Sequence, residues 1–342
     1  MKQYMRKILK TTVVAIGILA AQSAQHSAFA QEKKIRIMIW GTTWQSVFKD
    51  LSESFTKETG IKVDVETQTS SGEGLVKLQA MRQKPTIDVW FTTQSVAARA
   101  AQDKELFAEL PSDRMDNAGK VVPGSVTPYW AAIATFPMVL LYRTDLIGEV
   151  PTSWADLWKP AYRNKLAMPN IAMYSARMLL LTAKLNGGSE HNIEPGFEKL
   201  KALRPNITLF YSSDAQARQA LAQGEVAAVF APPMYLKVLA DQGVPVKAAA
   251  LRPSPLEFDV AMMPRGGKEE WAAAYINYII RKDVNEIMVA KRNMGPVNVE
   301  SKVPEYLSSI MPREQDGLVF DEAVVNANIT AWTERFNREI AK

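Results

Sequence analysis

The chain has 342 residues, no cysteine and a formal net charge of +5 from 41 basic and 36 acidic residues. The first 30 residues hold four of the basic residues and no acidic ones, so the rest carries 37 basic and 36 acidic residues, a net charge of +1. This balance excludes nucleic-acid binding driven by bulk positive charge, and the lack of cysteine excludes disulfides and a lipid-attachment cysteine.

The N-terminus has the three-part pattern of a secretion signal. Residues 2–10 carry four basic side chains, residues 12–21 are apolar, and residues 28–30 read Ala-Phe-Ala, a small-x-small pattern that signal peptidase cleaves. The apolar stretch is too short for a permanent membrane span. We therefore expect cleavage after Ala30 and a mature protein in the periplasm; a short anchor that is never cleaved is the alternative.

Residues 35–105 alternate three times between a strand pattern and a helix pattern. The predicted strands are residues 35–40, 61–65 and 87–91. Three strand–loop–helix units in succession indicate a parallel sheet with right-handed crossovers. In such a sheet, ligands meet the loops beyond the carboxyl ends of the strands. Here those loops are residues 40–44, 69–74 and 92–94.

The three loops carry side chains suited to a polar ligand, namely two indoles, several hydroxyls and an amide, beside helix N-termini. The candidate contacts in them are Trp40, Gly41, Thr42, Trp44, Ser70, Ser71, Thr93 and Gln94. For each hydroxyl the alternative is a simple helix N-cap, and for each tryptophan it is a core position. The convergence of three such loops favours a binding site.

Residues 127–145 are largely apolar, yet they do not form one helical pattern. Pro128 and Pro137 interrupt any continuous helix, and residues 138–142 fit a buried strand. Because similar α/β patterns lie on both sides, we interpret this ribbon as a hinge between two lobes. The alternative is an ordinary core strand of a single domain.

The second half of the chain repeats the alternation of strands and helices. Its predicted strands are residues 165–168, 207–211, 226–230 and 246–251. Helices separate them, including one that starts after residue 170 and runs through residue 185. A strand at residues 258–263 then returns toward the first lobe, and the chain ends in a one-sided helix.

Residues 152–169, TSWADLWKPAYRNKLAMP, resemble a segment of the type 1 extracellular solute-binding proteins, the periplasmic receptors of ABC importers. Further similarities follow in the same chain order at residues 55–63, 224–226, 259–264 and 271–284. Together they span nearly the whole mature chain. The resemblance implies an α/β class with the type II periplasmic-binding-protein fold, in which two α/β lobes close over a ligand in a central cleft.

The hinge interpretation and the resemblance together divide the chain. Residues 1–30 are the signal peptide. The N-terminal lobe is expected at residues 31–133 plus 261–300, and the C-terminal lobe at residues 134–260 plus 301–342. The crossing segments are expected at residues 131–138 and 258–264.

Polyamine-binding members of that family place aromatic rings on the alkyl chain and carboxylates on the amino groups. By this resemblance Trp40 matches the aromatic that ends the first strand, Asp259 matches an amine-binding aspartate, and Phe230 stands where those receptors carry an indole. Their second acidic position falls near Ser175 or Ala176, so that carboxylate is missing here. A diamine would leave one ammonium unpaired in a closed cleft, which is costly.

The sequence gives little support for a metal ligand and some support for an anionic group on the solute. Iron-binding members need adjacent tyrosines, and this chain has no Tyr-Tyr pair. Its histidines, His26 and His191, fall in the signal and in a predicted helix-linking turn, so no metal site and no cofactor are expected. Residues 70–74 are similar to a loop of relatives that bind carboxylated or phosphorylated solutes, and a helix N-terminus there suits an oxyanion.

We therefore expect a solute-binding receptor that captures a small amine-bearing polar solute, amino-acid-like or opine-type, and delivers it to permease subunits in the inner membrane. The alternative ligand is a polyamine such as spermidine or putrescine. Asp259 as a purely structural carboxylate is the alternative to its binding an amine. The further expected contacts are Trp130, Asn170, Tyr174, Tyr211, Phe230, Phe258 and Asp259.

An enzyme is not expected. Ser71 and Ser213 are conceivable nucleophiles, but no catalytic histidine and no G-x-S-x-G, H-E-x-x-H or P-loop pattern accompanies them. We expect a monomer with no nucleic-acid partner. A sensor subunit that uses the same cleft is an alternative that the sequence leaves open.

Overall fold

The fold is described from a computed structural model that covers residues 32–312 and 316–342, apart from the side chains of Thr42 and Thr43. The predicted secretion signal and its cleavage point after Ala30 lie outside the described residues. Within those residues, no helix combines the length and the apolar character needed to cross a membrane.

Strands and helices alternate along the chain, and the strands form two separate sheets. The strands are β1 (Lys34–Trp40), β2 (Lys62–Gln68), β3 (Val89–Thr93), β4 (Phe107–Ala108), β5 (Trp130–Pro137), β6 (Val139–Arg143), β7 (Leu166–Pro169), β8 (Ile207–Tyr211), β9 (Ala228–Ala231), β10 (Val246–Ala249), β11 (Ser254–Pro264) and β12 (Gly317–Leu318). The helices are α1 (Thr42–Thr59), α2 (Ser71–Ala80), α3 (Gln94–Ala100), α4 (Arg177–Leu185), α5 (Glu194–Leu203), α6 (Asp214–Gln223), α7 (Met234–Asp241), α8 (Glu269–Ile279), α9 (Lys282–Arg292), α10 (Glu305–Ser308) and α11 (Glu322–Glu339). The predicted α/β class is confirmed.

The first sheet has the strand order β12-β11-β3-β1-β2, with β4 and β5 paired along β11. Strand β1 is parallel to both β2 and β3, as the strand–helix units predict. Strand β11 runs antiparallel between β3 and β5. The carboxyl ends of β1, β2 and β3 therefore meet at one edge, where β11 places Asp259 opposite Thr93.

The second sheet has the order β10-β6-β9-β7-β8. Strand β7 is parallel to β8 and β9, whereas β6 is antiparallel to β9 and β10. Each sheet has its own hydrophobic core, with Phe48 and Phe91 in the first and Trp154 in the second. Phe136 and Met234 pack against the cores of both sheets.

The chain passes between the sheets at short junctions. Strand β5 ends at Pro137 and β6 begins at Val139, so Met138 alone joins them, and residues 250–253 join β10 to β11. The prediction of a buried, non-helical ribbon is confirmed as the strands β5 and β6. All of β11 lies in the first sheet, although the predicted division assigns residues 254–260 to the C-terminal lobe. The lobe boundaries stay a prediction.

Two further features position the site. Helix α11 packs Trp332 and Phe336 into the second core, while Asn326 Nδ2 donates to Ser95 O in α3 at 3.0 Å. The predicted helix after residue 170 is wrong in its first turn, because Tyr174, Ser175 and Ala176 take left-handed φ angles of 47°, 46° and 61°. Left-handed backbone is costly for residues with a Cβ, so the regular helix α4 starts only at Arg177.

Candidate functional site

The three predicted loops of the first sheet come together at the hydroxyl of Ser71. This Oγ accepts hydrogen bonds from Trp40 Nε1 at 3.2 Å and from the backbone N of Thr93 at 3.3 Å. Trp40 ends β1, Ser71 begins α2 and Thr93 ends β3, and the Ser71 residue is only 8% exposed. Because the oxygen is an acceptor in both bonds, its own proton remains available to a bound acceptor.

Ser70, Gly41 and Thr42 have different surroundings. Ser70 is exposed and its Oγ accepts from the backbone N of Glu73 at 3.1 Å, so it is the N-cap of α2. The backbone N of Gly41 donates to Gln68 O at 3.2 Å, and the space where a Cβ would stand is open. The side chain of Thr42 lies outside the described residues. The surroundings of Ser70 therefore fit a helix N-cap, the alternative to a ligand contact.

An aromatic row runs inward from this edge. The ring centroids of Trp40 and Trp44 are 5.6 Å apart, and those of Trp44 and Phe48 are also 5.6 Å apart. Trp40 is partly exposed, whereas Trp44 is buried. The guanidinium of Arg292 lies over the Trp44 ring, 4.4 Å from its centroid. This row therefore offers a cation and an apolar surface side by side.

Asp259 is a buried carboxylate at the same edge. It is 9% exposed, and β11 holds it between Thr93 of β3 and Ala134 of β5. Across residues 32–312 and 316–342, no hydrogen bond or ion pair reaches this carboxylate. Burial raises its pKa to about 7, and the positive charge of Arg292 opposes that rise. A buried carboxylate without a counterion can accept a cationic donor.

Gln94 lies next to this carboxylate in the sheet, whereas Trp130 lies opposite Met262, three residues along β11 and toward the other edge of the sheet. Gln94 begins α3 next to Thr93, and its buried Oε1 has no donor within the described part of the chain. Trp130 is buried at the start of β5, where its backbone N donates to Thr127 Oγ1 at 3.1 Å. Gln94 therefore has free accepting capacity, whereas Trp130 contributes mainly packing.

The strand ends of the second sheet carry a separate hydrogen-bonded group. The Tyr174 hydroxyl donates to Asp214 Oδ1 at 2.5 Å and lies 2.9 Å from the Tyr235 hydroxyl. Burial raises the pKa of Tyr174 far above its usual value, so the phenol stays protonated. Asn170 stabilises the preceding turn, because its Oδ1 accepts from Ala172 N at 2.8 Å.

Three predicted aromatic contacts are buried in cores. Tyr211 is fully buried and its hydroxyl donates to Phe230 O at 2.6 Å. The Phe230 ring packs 5.5 Å from Trp154, centroid to centroid, and Phe258 is almost fully buried in β11. Their burial gives no support to contact with a solute, and that prediction stays untested.

The sequence interpretation missed two arginines. Arg292 ends a helix, and nothing in its neighbouring sequence points to a function. Arg177 is 1% exposed, with its Nε 2.6 Å from Glu257 Oε1 in a close ion pair that lacks hydrogen-bond alignment, and it also binds Glu322. The available signal was Glu257, which stands two residues before Asp259 in the mostly apolar stretch SPLEFDVAMMP. Burial raises the pKa of both glutamates.

Comparisons with known proteins agree on one class. The family of bacterial extracellular solute-binding proteins matches residues 50–308. The spermidine/putrescine-binding periplasmic protein of Salmonella typhimurium is 26% identical over 297 residues, which cover 83% of this chain and 81% of the relative.

Solved structures resemble the chain over almost its full length. The crystal structure of an ABC transporter protein from Clostridium perfringens has a TM-score of 0.79 and 25% identity, and the match covers 90% of this chain and 99% of that one. The Atu4243-GABA receptor has a TM-score of 0.73 and 25% identity, and the match covers 90% of this chain and 98% of that one.

Proposed function

Because this chain belongs to the bacterial extracellular solute-binding proteins, we propose that its cleft captures a small amine-bearing polar solute, with Asp259 binding the ammonium. The chain is a solute-binding receptor of an ABC transporter. The observation that carries the choice of solute is the buried, unpaired carboxylate of Asp259 at the edge where the strand-end loops meet.

An amino-acid-like solute is favoured over a polyamine. The relative from Salmonella is named for spermidine and putrescine, and the solved receptor Atu4243 is named for GABA. A diamine needs a second free carboxylate, but Ser175 and Ala176 supply none. Glu257 is already paired with Arg177, and Asp214 is held by the Tyr174 hydroxyl. An amine with one positive charge leaves no ammonium unpaired. Polyamine binding remains the second candidate because of the named relative.

The remaining parts of the proposal concern the whole molecule. We propose that residues 31–133 plus 261–300 and residues 134–260 plus 301–342 act as the two lobes, and that the solute stabilises their closure by contacting both. Separate hydrophobic cores around the two sheets support a two-lobe division, with residues 254–260 of β11 packed in the core of the first sheet. The protein is exported with cleavage after Ala30, works as a monomer in the periplasm, and releases its solute unchanged to the permease.

Isothermal titration calorimetry of the mature protein tests this function, with native mass spectrometry to detect a retained solute. The panel is 4-aminobutyrate, the common α-amino acids, putrescine and spermidine, with butyrate and glucose as amine-free controls. We expect one amine-bearing compound to bind with 1:1 stoichiometry. Binding of an amine-free control alone, or no binding by any amine, would contradict the proposal.

A further inference from the structure

Arg292 is a partly buried cation without an anionic partner. It ends helix α9, and its guanidinium lies over the ring of Trp44. Its Nε is buried and has no acceptor, and among the described residues its guanidinium makes no hydrogen bond or ion pair. Burial lowers the pKa of Arg292, an effect that the negative charge of Asp259 opposes. A desolvated guanidinium with a free N–H calls for an acceptor.

Asp259 is the complementary group, yet the two side chains do not form an ion pair. Each is held in place by a different part of the fold. Asp259 lies in a strand that is paired on both sides, to β3 and to β5. Arg292 lies at the end of α9 and stacks on Trp44, which packs in turn on Phe48. Asp259 and Arg292 are close enough for the charge of each to shift the pKa of the other, but they are not in ion-pair contact.

The site thus holds a negative and a positive group, both desolvated and without an ion-pair partner. A molecule that carries one positive and one negative group can pair with both of them. We propose that Arg292 binds the carboxylate of a zwitterionic solute whose ammonium is bound by Asp259, so that the solute is an amino carboxylate. This inference rests on the proposed function and narrows its solute class. It also disfavours a polyamine, because a second ammonium would meet the like charge of Arg292.

The stacking on Trp44 suits this role. A guanidinium over an aromatic face keeps its edge N–H groups free, and those groups match the two oxygens of a carboxylate. The nearby Ser71 O–H is free to donate a hydrogen bond to a carboxylate oxygen as well. The edge therefore presents donors for an anion beside an acceptor for a cation.

The test uses calorimetry to compare ligands of the same chain length with and without a carboxylate, on matched variants. The probes are the ω-amino carboxylates from glycine to 5-aminopentanoate, and the alkylamine with the same carbon chain as the tightest of them. The proteins are the wild type, Arg292→Gln, and Arg335→Gln as the control. Arg335 also lies over an aromatic ring, 4.1 Å from the centroid of Phe197 in the second core, but it is partly exposed and ion-paired with Glu194.

We expect the wild type to bind the amino carboxylate at least about 100-fold more tightly than the alkylamine. Arg292→Gln should lose about 100-fold in affinity for the amino carboxylate and stay within about threefold for the alkylamine. Arg292→Lys, which keeps the charge without the planar fork, should lose less. Arg335→Gln should leave both affinities unchanged. Melting curves by circular dichroism establish that each variant is folded.

Three results would decide against the inference. The first is a wild type that binds the alkylamine or putrescine as tightly as the amino carboxylate. The second is an Arg292→Gln protein that loses affinity equally for both probes, and the third is one that loses none. A wild type that binds no amine at all would instead remove the proposed function itself.

Discussion

Arg177 Nε lies 2.6 Å from Glu257 Oε1, and this buried ion pair joins helix α4 to strand β11. Glu322, at the start of α11, binds the same guanidinium at Nη2. Three elements that are distant in sequence therefore depend on one cation. The cluster lies two residues along β11 from Asp259.

Arg177→Gln should lower the free energy of unfolding by about 3–5 kcal/mol, because it leaves two buried carboxylates without a counterion. Urea denaturation at pH 8 measures this change. Arg338→Gln is the matched control, since Arg338 pairs with Glu339 on the surface at 3.0 Å and should contribute less than about 1 kcal/mol. Equal effects of the two substitutions would mean that the buried cluster contributes no special stability.

Asp259→Asn should stabilise the ligand-free protein at high pH. The folded-state pKa of Asp259 is raised to about 7, above the value of about 3.9 in an unfolded chain. Between these values the folded state binds more protons than the unfolded state, so the stability of the wild type falls as pH rises from about 4 to about 7. The substitution removes this loss.

The gain in the free energy of unfolding from Asp259→Asn should therefore be small near pH 4 and reach as much as about 4 kcal/mol at pH 8. Urea denaturation across that range measures it. Asp241→Asn, which removes an exposed partner of Lys237, should show no such trend. A gain independent of pH would show that the Asp259 carboxylate is not responsible.

The same Asp259→Asn substitution should weaken binding of an amine-bearing solute by about 2–5 kcal/mol, because it removes the buried partner of the ammonium. Calorimetry with the tightest compound of the panel measures the loss. Greater stability combined with weaker binding is the result expected of a carboxylate retained for function. Unchanged affinity would make Asp259 a structural residue.

Ser71→Ala should destabilise the protein by about 1–3 kcal/mol and also weaken solute binding. It leaves the indole N–H of Trp40 and the backbone N–H of Thr93 without an acceptor. Ser70→Ala is the neighbouring control, because it removes only an exposed N-cap, at a cost of about 1 kcal/mol, and should not alter affinity. Equal affinity losses at both positions would contradict the role given to Ser71.

Much of the fold follows from local sequence patterns. The periods of apolar residues in residues 35–105 predict β1, β2, β3 and their parallel pairing, because each strand–helix unit is a local structure. The position of the loops beyond the strand ends then follows from the topology. Asp259 was identified through the family resemblance.

The parts that the sequence did not predict depend on contacts between distant segments. The helix sequence around Arg292 does not distinguish it from a surface arginine. Its possible role becomes visible only when the fold brings it near Trp44 and Asp259. Tyr174 takes a left-handed conformation while its hydroxyl is bound to Asp214 and Tyr235. Helix propensity depends on local sequence and cannot predict these distant partners. Aromatic residues at strand ends were predicted to be ligand contacts, but Phe230 is packed inward.

The junction at Met138 has a mechanical consequence. One residue separates β5 from β6 and residues 250–253 separate β10 from β11, so a relative rotation of the two sheets would turn on a few backbone torsions there and on the crossings on either side of β12. In such a rotation, small torsional changes at the pivots would become large displacements at the tips of the strand-end loops. Proline at Met138 would remove the backbone N–H that donates to Pro255 O at 2.8 Å, and would therefore alter this pivot without changing any group proposed to touch the solute.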